Sequence, residues 1–166
     1  MLTAHELIGF MTPKLAAEIL EHAHSSEKAL YKATLAAVAQ ARKVRPLFLE
    51  RQPRAEQHNA MISTLSRPSM ELAASGLLRA WLLKKHTALL TDFLDALGLP
   101  HKNGVVDDLP VAMDDTKLRS AVDGVLAKHP SEVVAVYLHA FHEMNETRWP
   151  NLKSLLETDP RLQLGG

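Results

Sequence analysis

Apolar residues return every three or four positions along nearly the whole chain, and no other property narrows the possible folds as far. An α-helix turns about 100° per residue, so this spacing lines one helical face, whereas a half-buried strand would alternate every second residue. Alanine and leucine dominate, only 5% of residues are aromatic, and β-branched residues rarely cluster, which removes the usual strand formers. The expected product is all-α: an antiparallel helical bundle of six to eight helices in a single compact domain.

Prolines and polar caps mark the expected limits. A first helix covers 4–11. Thr12-Pro13, a cap followed by proline at the first helical position, opens a second that reaches residue 24. A third runs 26–45 and stops before Pro46. PLFLERQPR reads as a connector with room for one helical turn, and a fourth helix covers 53–65. The longest expected helix runs 69–97, bending near Ser75-Gly76 and stopping at Gly98 and Pro100. Residues 98–114 form an irregular loop with a turn signal at Asn103-Gly104. Asp114 or Asp115 caps a helix to residue 129, Ser131 caps another to 146, and Pro150 opens a last one to 157. Residues 158–166 are a short tail.

At 166 residues, with 46% apolar and 23% charged positions, the chain has the make-up of one globular domain. Nineteen basic residues balance nineteen acidic ones, so no overall charge draws it to nucleic acid or anionic lipid. The absence of cysteine removes disulfides, thiolate metal sites and cysteine nucleophiles. The first residues lack the pattern of a signal peptide, and no window nears the ~20 apolar residues that span a bilayer. The sequence therefore reads as soluble and cytoplasmic.

The loudest local signal is HAFHEMNE. His139, His142, Glu143 and Glu146 share one helical face, spanning an arc of roughly 100°. Val133, Val136, Tyr137, Ala140, Phe141 and Met144 occupy the opposite side. The four polar residues are thus expected to face water, where a surface metal or an oligomer partner is their alternative use. On the expected 69–97 helix, by contrast, His86 lies in the middle of a leucine stripe, with Arg79 and Ser75 on the same line. His58 aligns with Met61, Ile62 and Leu65, and His22 lies at the edge of its helix's apolar face. Inward polar groups need hydrogen-bond partners, so His58, His86, Arg79, Ser75 and His22 are the pocket candidates.

Neutral imidazoles at His58, His86 and His22 are a candidate set for a divalent transition metal such as zinc, nickel or iron. Three inward histidines in a small bundle resemble the DinB/YfiT-like metalloproteins in architecture alone, without their motif spacing. That resemblance implies a metal-dependent helical enzyme.

Weaker signals remain. Arg42, Lys43, Arg45, Arg51 and Arg54 form a basic strip against the single Glu50, with one phenylalanine among them. It reads as a solvated helix end and linker, or as a phosphate-binding strip. His101, Asp107 and Asp108 lack the spacing of a calcium loop. RLQLGG resembles the tail of ubiquitin-like modifiers, whose β-rich fold the helical body contradicts. No phosphate-cradling loop, dinucleotide fingerprint, nucleophile elbow or HExxH is present. Trp81 or Trp149 would mark an exposed apolar patch if the chain docks onto a partner. The leading reading is a non-catalytic module that binds a protein partner, a ligand or a second copy of itself. A metal-dependent enzyme stands second, and a nucleic-acid-associated regulator using the basic strip third.

Overall fold

Thr12 illustrates how local chemistry sets the helices. Its hydroxyl accepts the Leu15 amide at 3.3 Å, and Pro13 follows at the first helical position, where a missing N–H costs nothing. A computed structural model describes residues 2–145 and 148–165. Among these the regular structure is helical: α1 (Ala4–Phe10), α2 (Pro13–Ser26), α3 (Lys28–Ala41), α4 (Pro46–Glu50), α5 (Arg54–Leu65), α6 (Glu71–Lys85), α7 (Thr87–Ala96), α8 (Asp115–Lys128), α9 (Ser131–Met144) and α10 (Pro150–Thr158). Short 3-10 turns lie at Pro68–Met70 and Pro160–Leu162. The fold is all-α, with more and shorter helices than the sequence suggests. No helix among the described residues is long and apolar enough to cross a membrane.

Two features raise the helix number. PLFLE closes a full turn as α4, and the expected 69–97 helix is broken. Its break falls at His86 (φ −116, ψ 32), not at Gly76, which lies inside α6. The Thr87 hydroxyl donates back to the Leu83 carbonyl at 2.6 Å, a contact that bends helices. Ser131 also differs from expectation: it is the first residue of α9 and follows Pro130 at the cap position, where no side chain caps the helix.

Contacts divide the chain into two units, one comprising Ala4–Trp81 and the other Leu82 onward together with the residues before Ala4. The division lies within α6, and the loop 98–114 falls wholly in the second unit. In the first unit α2 packs on α3 and α5, α1 packs on α5, and α4 packs on α3. Leu7, Ile19, Leu20, Val38, Met61 and Leu65 are buried there. The Glu71 carboxylate accepts the backbone N–H groups of Ala4 and His5, each at 2.9 Å, at the start of α1. Burial alone would raise its pKa; these bonds and the His5 ring outweigh that and lower it.

In the second unit α8 packs on α7, α9 and α10, while α10 and the Pro160–Leu162 turn cover α9. Val133 to Ala140 are all buried. Phe93, Tyr137 and Phe141 meet at ring distances of 5.5–5.9 Å. α7 ends where Gly98 takes φ +70 and the Leu99 amide reaches back to the Leu94 carbonyl at 3.0 Å. Asn103 (φ 52) and Gly104 (φ 88) then turn the chain tightly between Lys102 and Val105. The Trp149 indole N–H donates to the Pro110 carbonyl and the Asn151 amide to that of Met113, each at 2.8 Å. The irregular stretch from Pro110 to Met113, just before the cap of α8, is thereby tied at both ends. Asp114 caps α8 by accepting the Lys117 amide at 2.9 Å.

The fate of HAFHEMNE reverses its sequence reading. His139 is 3% exposed and His142 is 1% exposed, so neither faces water. Glu143 is half-buried, and Glu146 lies outside the described residues. The opposite-stripe argument assumes a helix with one covered side. α9 is instead covered on several sides, as the run VVAVYLHA of buried residues records. The His139 Nδ1 accepts the Leu2 N–H at 3.3 Å, and its Nε2 donates to the Leu162 carbonyl at 3.0 Å. Only the neutral ring protonated on Nε2 can make both bonds.

Candidate functional site

The strip of residues 42–54 combines features that its sequence presents separately. α3 ends at Ala41, and the chain turns back as the Val44 amide bonds the Ala39 carbonyl at 2.9 Å. Lys43 supplies the left-handed residue of that turn at φ 58, a conformation glycine adopts without penalty. Lys43→Gly should therefore stabilise the fold by about 0.5–1 kcal/mol. The measurement is a urea midpoint that rises with an unchanged slope.

Pro46 then opens α4, which presents three successive apolar side chains from a single turn. One turn cannot bury all three on one side. Leu49 is buried, whereas Leu47 is 50% exposed and Phe48 is 57% exposed. The buried side is fixed by a relay: the Tyr31 hydroxyl donates to Oε1 of Gln57, and Nε2 of Gln57 donates to the Leu49 carbonyl at 2.9 Å. Burial, the largest influence on Tyr31, pushes its pKa up to about 12, so the hydroxyl remains a donor at neutral pH.

Arg42, Lys43, Arg45, Arg51 and Arg54 are all exposed around α4. Arg54 pairs with Glu21 at 2.7 Å, and Arg42 donates to the Thr64 hydroxyl at 3.3 Å. Among the described residues Lys43, Arg45 and Arg51 have no carboxylate partner. Two large apolar side chains are thus exposed in a stretch of exposed cations and one exposed carboxylate, Glu50, on a helical turn whose Leu49 carbonyl is held by Gln57.

His58 lies under the same region and is 5% exposed, as its position beside Met61 and Leu65 implies. Its Nε2 is 3.9 Å from Glu21 and has no hydrogen-bond partner among the described residues. Its ring packs edge-on to Tyr31, which meets His24 in turn. Burial lowers the His58 pKa; Glu21 opposes this, while Arg54 and His24 add to it. The remaining pocket candidates scatter. His22 is half-buried with a buried Nε2, and Ser75 is half-buried. Arg79 is exposed, contrary to its expected inward direction, because the leucine line used to orient it belongs partly to α7 beyond the break. His86 is half-buried at the helix junction in the second unit. Among the described residues no three His, Asp or Glu side chains are grouped so as to hold an ion.

Trp81 and Trp149 are both fully buried, so neither marks an exposed patch. In the loop, His101 is absorbed by local structure: Nε2 pairs with Asp95 at 2.6 Å and Nδ1 accepts the Gly104 amide at 3.2 Å. Asp107 and Asp108 remain exposed. The sequence carries no motif for Tyr31, Gln57 or Glu21, whose roles arise from tertiary contacts. Comparison of the chain with protein-family models, curated proteins and solved structures finds no match in any of the three.

Proposed function

We propose that this protein is a non-catalytic binding module that docks a protein partner on the strip 42–54. The observation that carries this reading is α4: Leu47 and Phe48 stand half-exposed among Lys43, Arg45 and Arg51, which lack carboxylate partners among the described residues. Apolar anchors flanked by charge are the usual make-up of a docking patch, and here the excess of flanking cations calls for an acidic segment bearing apolar side chains. The strained Lys43 supports the same reading, since it keeps a cation where glycine would cost less. The third reading, nucleic acid, draws on Phe48 as a stacking face. Leu47 has no such face, and its equal exposure favours protein.

An array of random decapeptides, probed with the full chain at low salt, tests the proposal. Retained peptides should be rich in Asp or Glu with at least one large apolar residue. Leu47→Ser with Phe48→Ser, or Arg45→Glu with Arg51→Glu, should weaken their binding at least about tenfold by fluorescence anisotropy. An array without acidic preference would overturn the reading. Salt-dependent binding of a single-stranded oligonucleotide, lost in the same variants while acidic peptides are ignored, would replace it with the nucleic-acid reading.

A further inference from the structure

The chain contains a segment with the chemistry that the strip demands. Residues 103–116, NGVVDDLPVAMDDT, hold four aspartates and no lysine or arginine. Val105 is 41% exposed and Val111 is 82% exposed, so apolar side chains stand among the acids. Asp115 pairs with Arg119 at 3.0 Å and Asp114 caps α8, but Asp107 and Asp108 are exposed and have no cationic partner among the described residues. The segment is also held in place: the Asn103–Gly104 turn fixes one end, while the bonds from Trp149 and Asn151 hold Pro110 and Met113. Prior ordering lowers the entropic cost of docking.

We infer that the acidic loop 103–116 of one copy docks on the basic strip 42–54 of a second copy. This rests on the strip being the docking surface and adds the identity of its occupant. Asp107 and Asp108 meet Arg45, Arg51 and Lys43, and Val111 meets Leu47 and Phe48. Donor and acceptor surfaces differ, so the contact is heterologous and propagates into open chains or closes into rings. A one-turn helix against one loop buries little area, which sets the association in the weak, reversible class. Its attraction is chiefly between exposed charges and falls with salt.

Sedimentation velocity of the full chain tests this at about 10 mM salt, where charges act over about 30 Å, and at about 1 M, where the range is about 3 Å. The average mass should rise with protein concentration at low salt and return to the monomer value at high salt. Arg45→Glu with Arg51→Glu should abolish the rise, and so should Asp107→Lys with Asp108→Lys. An equimolar mixture of the two charge-reversed proteins should associate again, because each reversed surface then finds its complement. All of these positions are exposed, and circular dichroism checks that the variants fold; Arg45→Gln with Arg51→Gln is the milder substitute. A monomer at low salt, association that survives either reversal, or a mixture that stays monomeric would each overturn the pairing. Retention of acidic peptides by a chain that never self-associates would overturn the pairing alone. Loss of peptide binding as well would remove the docking surface itself.

Discussion

Trp149→Ala is expected to lower the unfolding free energy by about 3–5 kcal/mol. The indole has no exposed surface and packs on Phe141 at a ring distance of 5.6 Å, joining the group formed with Phe93 and Tyr137. Alanine would leave a large void beside rings that cannot all shift to fill it. The substitution also removes the N–H that holds the Pro110 carbonyl. Trp149→Phe separates the two losses. It keeps part of the packing and removes the latch, so its cost should be about 1–3 kcal/mol, below that of alanine. Urea unfolding gives the stabilities, and amide exchange gives the location. Both variants should speed exchange in the loop 98–114, but only alanine should speed it in α9. Equal costs for the two variants would contradict the packing argument.

Acid should destabilise the protein steeply once the pH falls below about 6.5, the ordinary histidine value. Burial lowers the pKa of His58, His139 and His142, and is the largest influence on each. A histidine whose pKa is depressed in the fold binds its proton more readily when unfolded. Its contribution is therefore complete above the unfolded value and is lost as pH falls towards the folded one. Each group steepens the loss by at most about 1.4 kcal/mol per pH unit. His142 and His139 should respond differently to substitution. Neither ring nitrogen of His142 has a hydrogen-bond partner among the described residues, so His142→Leu should leave stability at pH 8 unchanged or improved and flatten the acid limb. His139→Leu breaks two backbone bonds and should cost about 1–3 kcal/mol at pH 8, a cost that shrinks as the pH falls because the substitution also removes a group whose contribution is lost in acid. Urea midpoints between pH 8 and pH 5 distinguish these outcomes. An acid limb as steep in His142→Leu as in the parent would refute the assignment.

Helix type and several boundaries were legible because they depend on neighbouring residues. Thr12-Pro13, Asp114 and Asn103-Gly104 act as local chemistry dictates. The burial of His58 followed from its neighbours at helical spacing on α5. The orientation of His139 and His142 was not legible, because periodicity reports which residues share a face and says nothing of how many faces are covered. The cover of α9 comes from Pro160–Leu162 and from Leu2, both distant in sequence. The leucine stripe through His86 is largely buried, but extending it back to Arg79 failed for a different reason: it treats 69–97 as one cylinder, and the Thr87 hydroxyl helps break it. For the strip, the charges were plain, and three apolar residues in a one-turn helix already required some to stay outside. The relay of Tyr31 and Gln57 that determines which ones was beyond reach.

The ring of His139 works as a buckle with unequal clasps. On one side it gives a proton to the Leu162 carbonyl; on the other it receives the Leu2 amide. A second proton on that ring would leave the first clasp closed and set two N–H groups against each other at the second. Leu2 would then lose its bond to α9 while Leu162 kept its own.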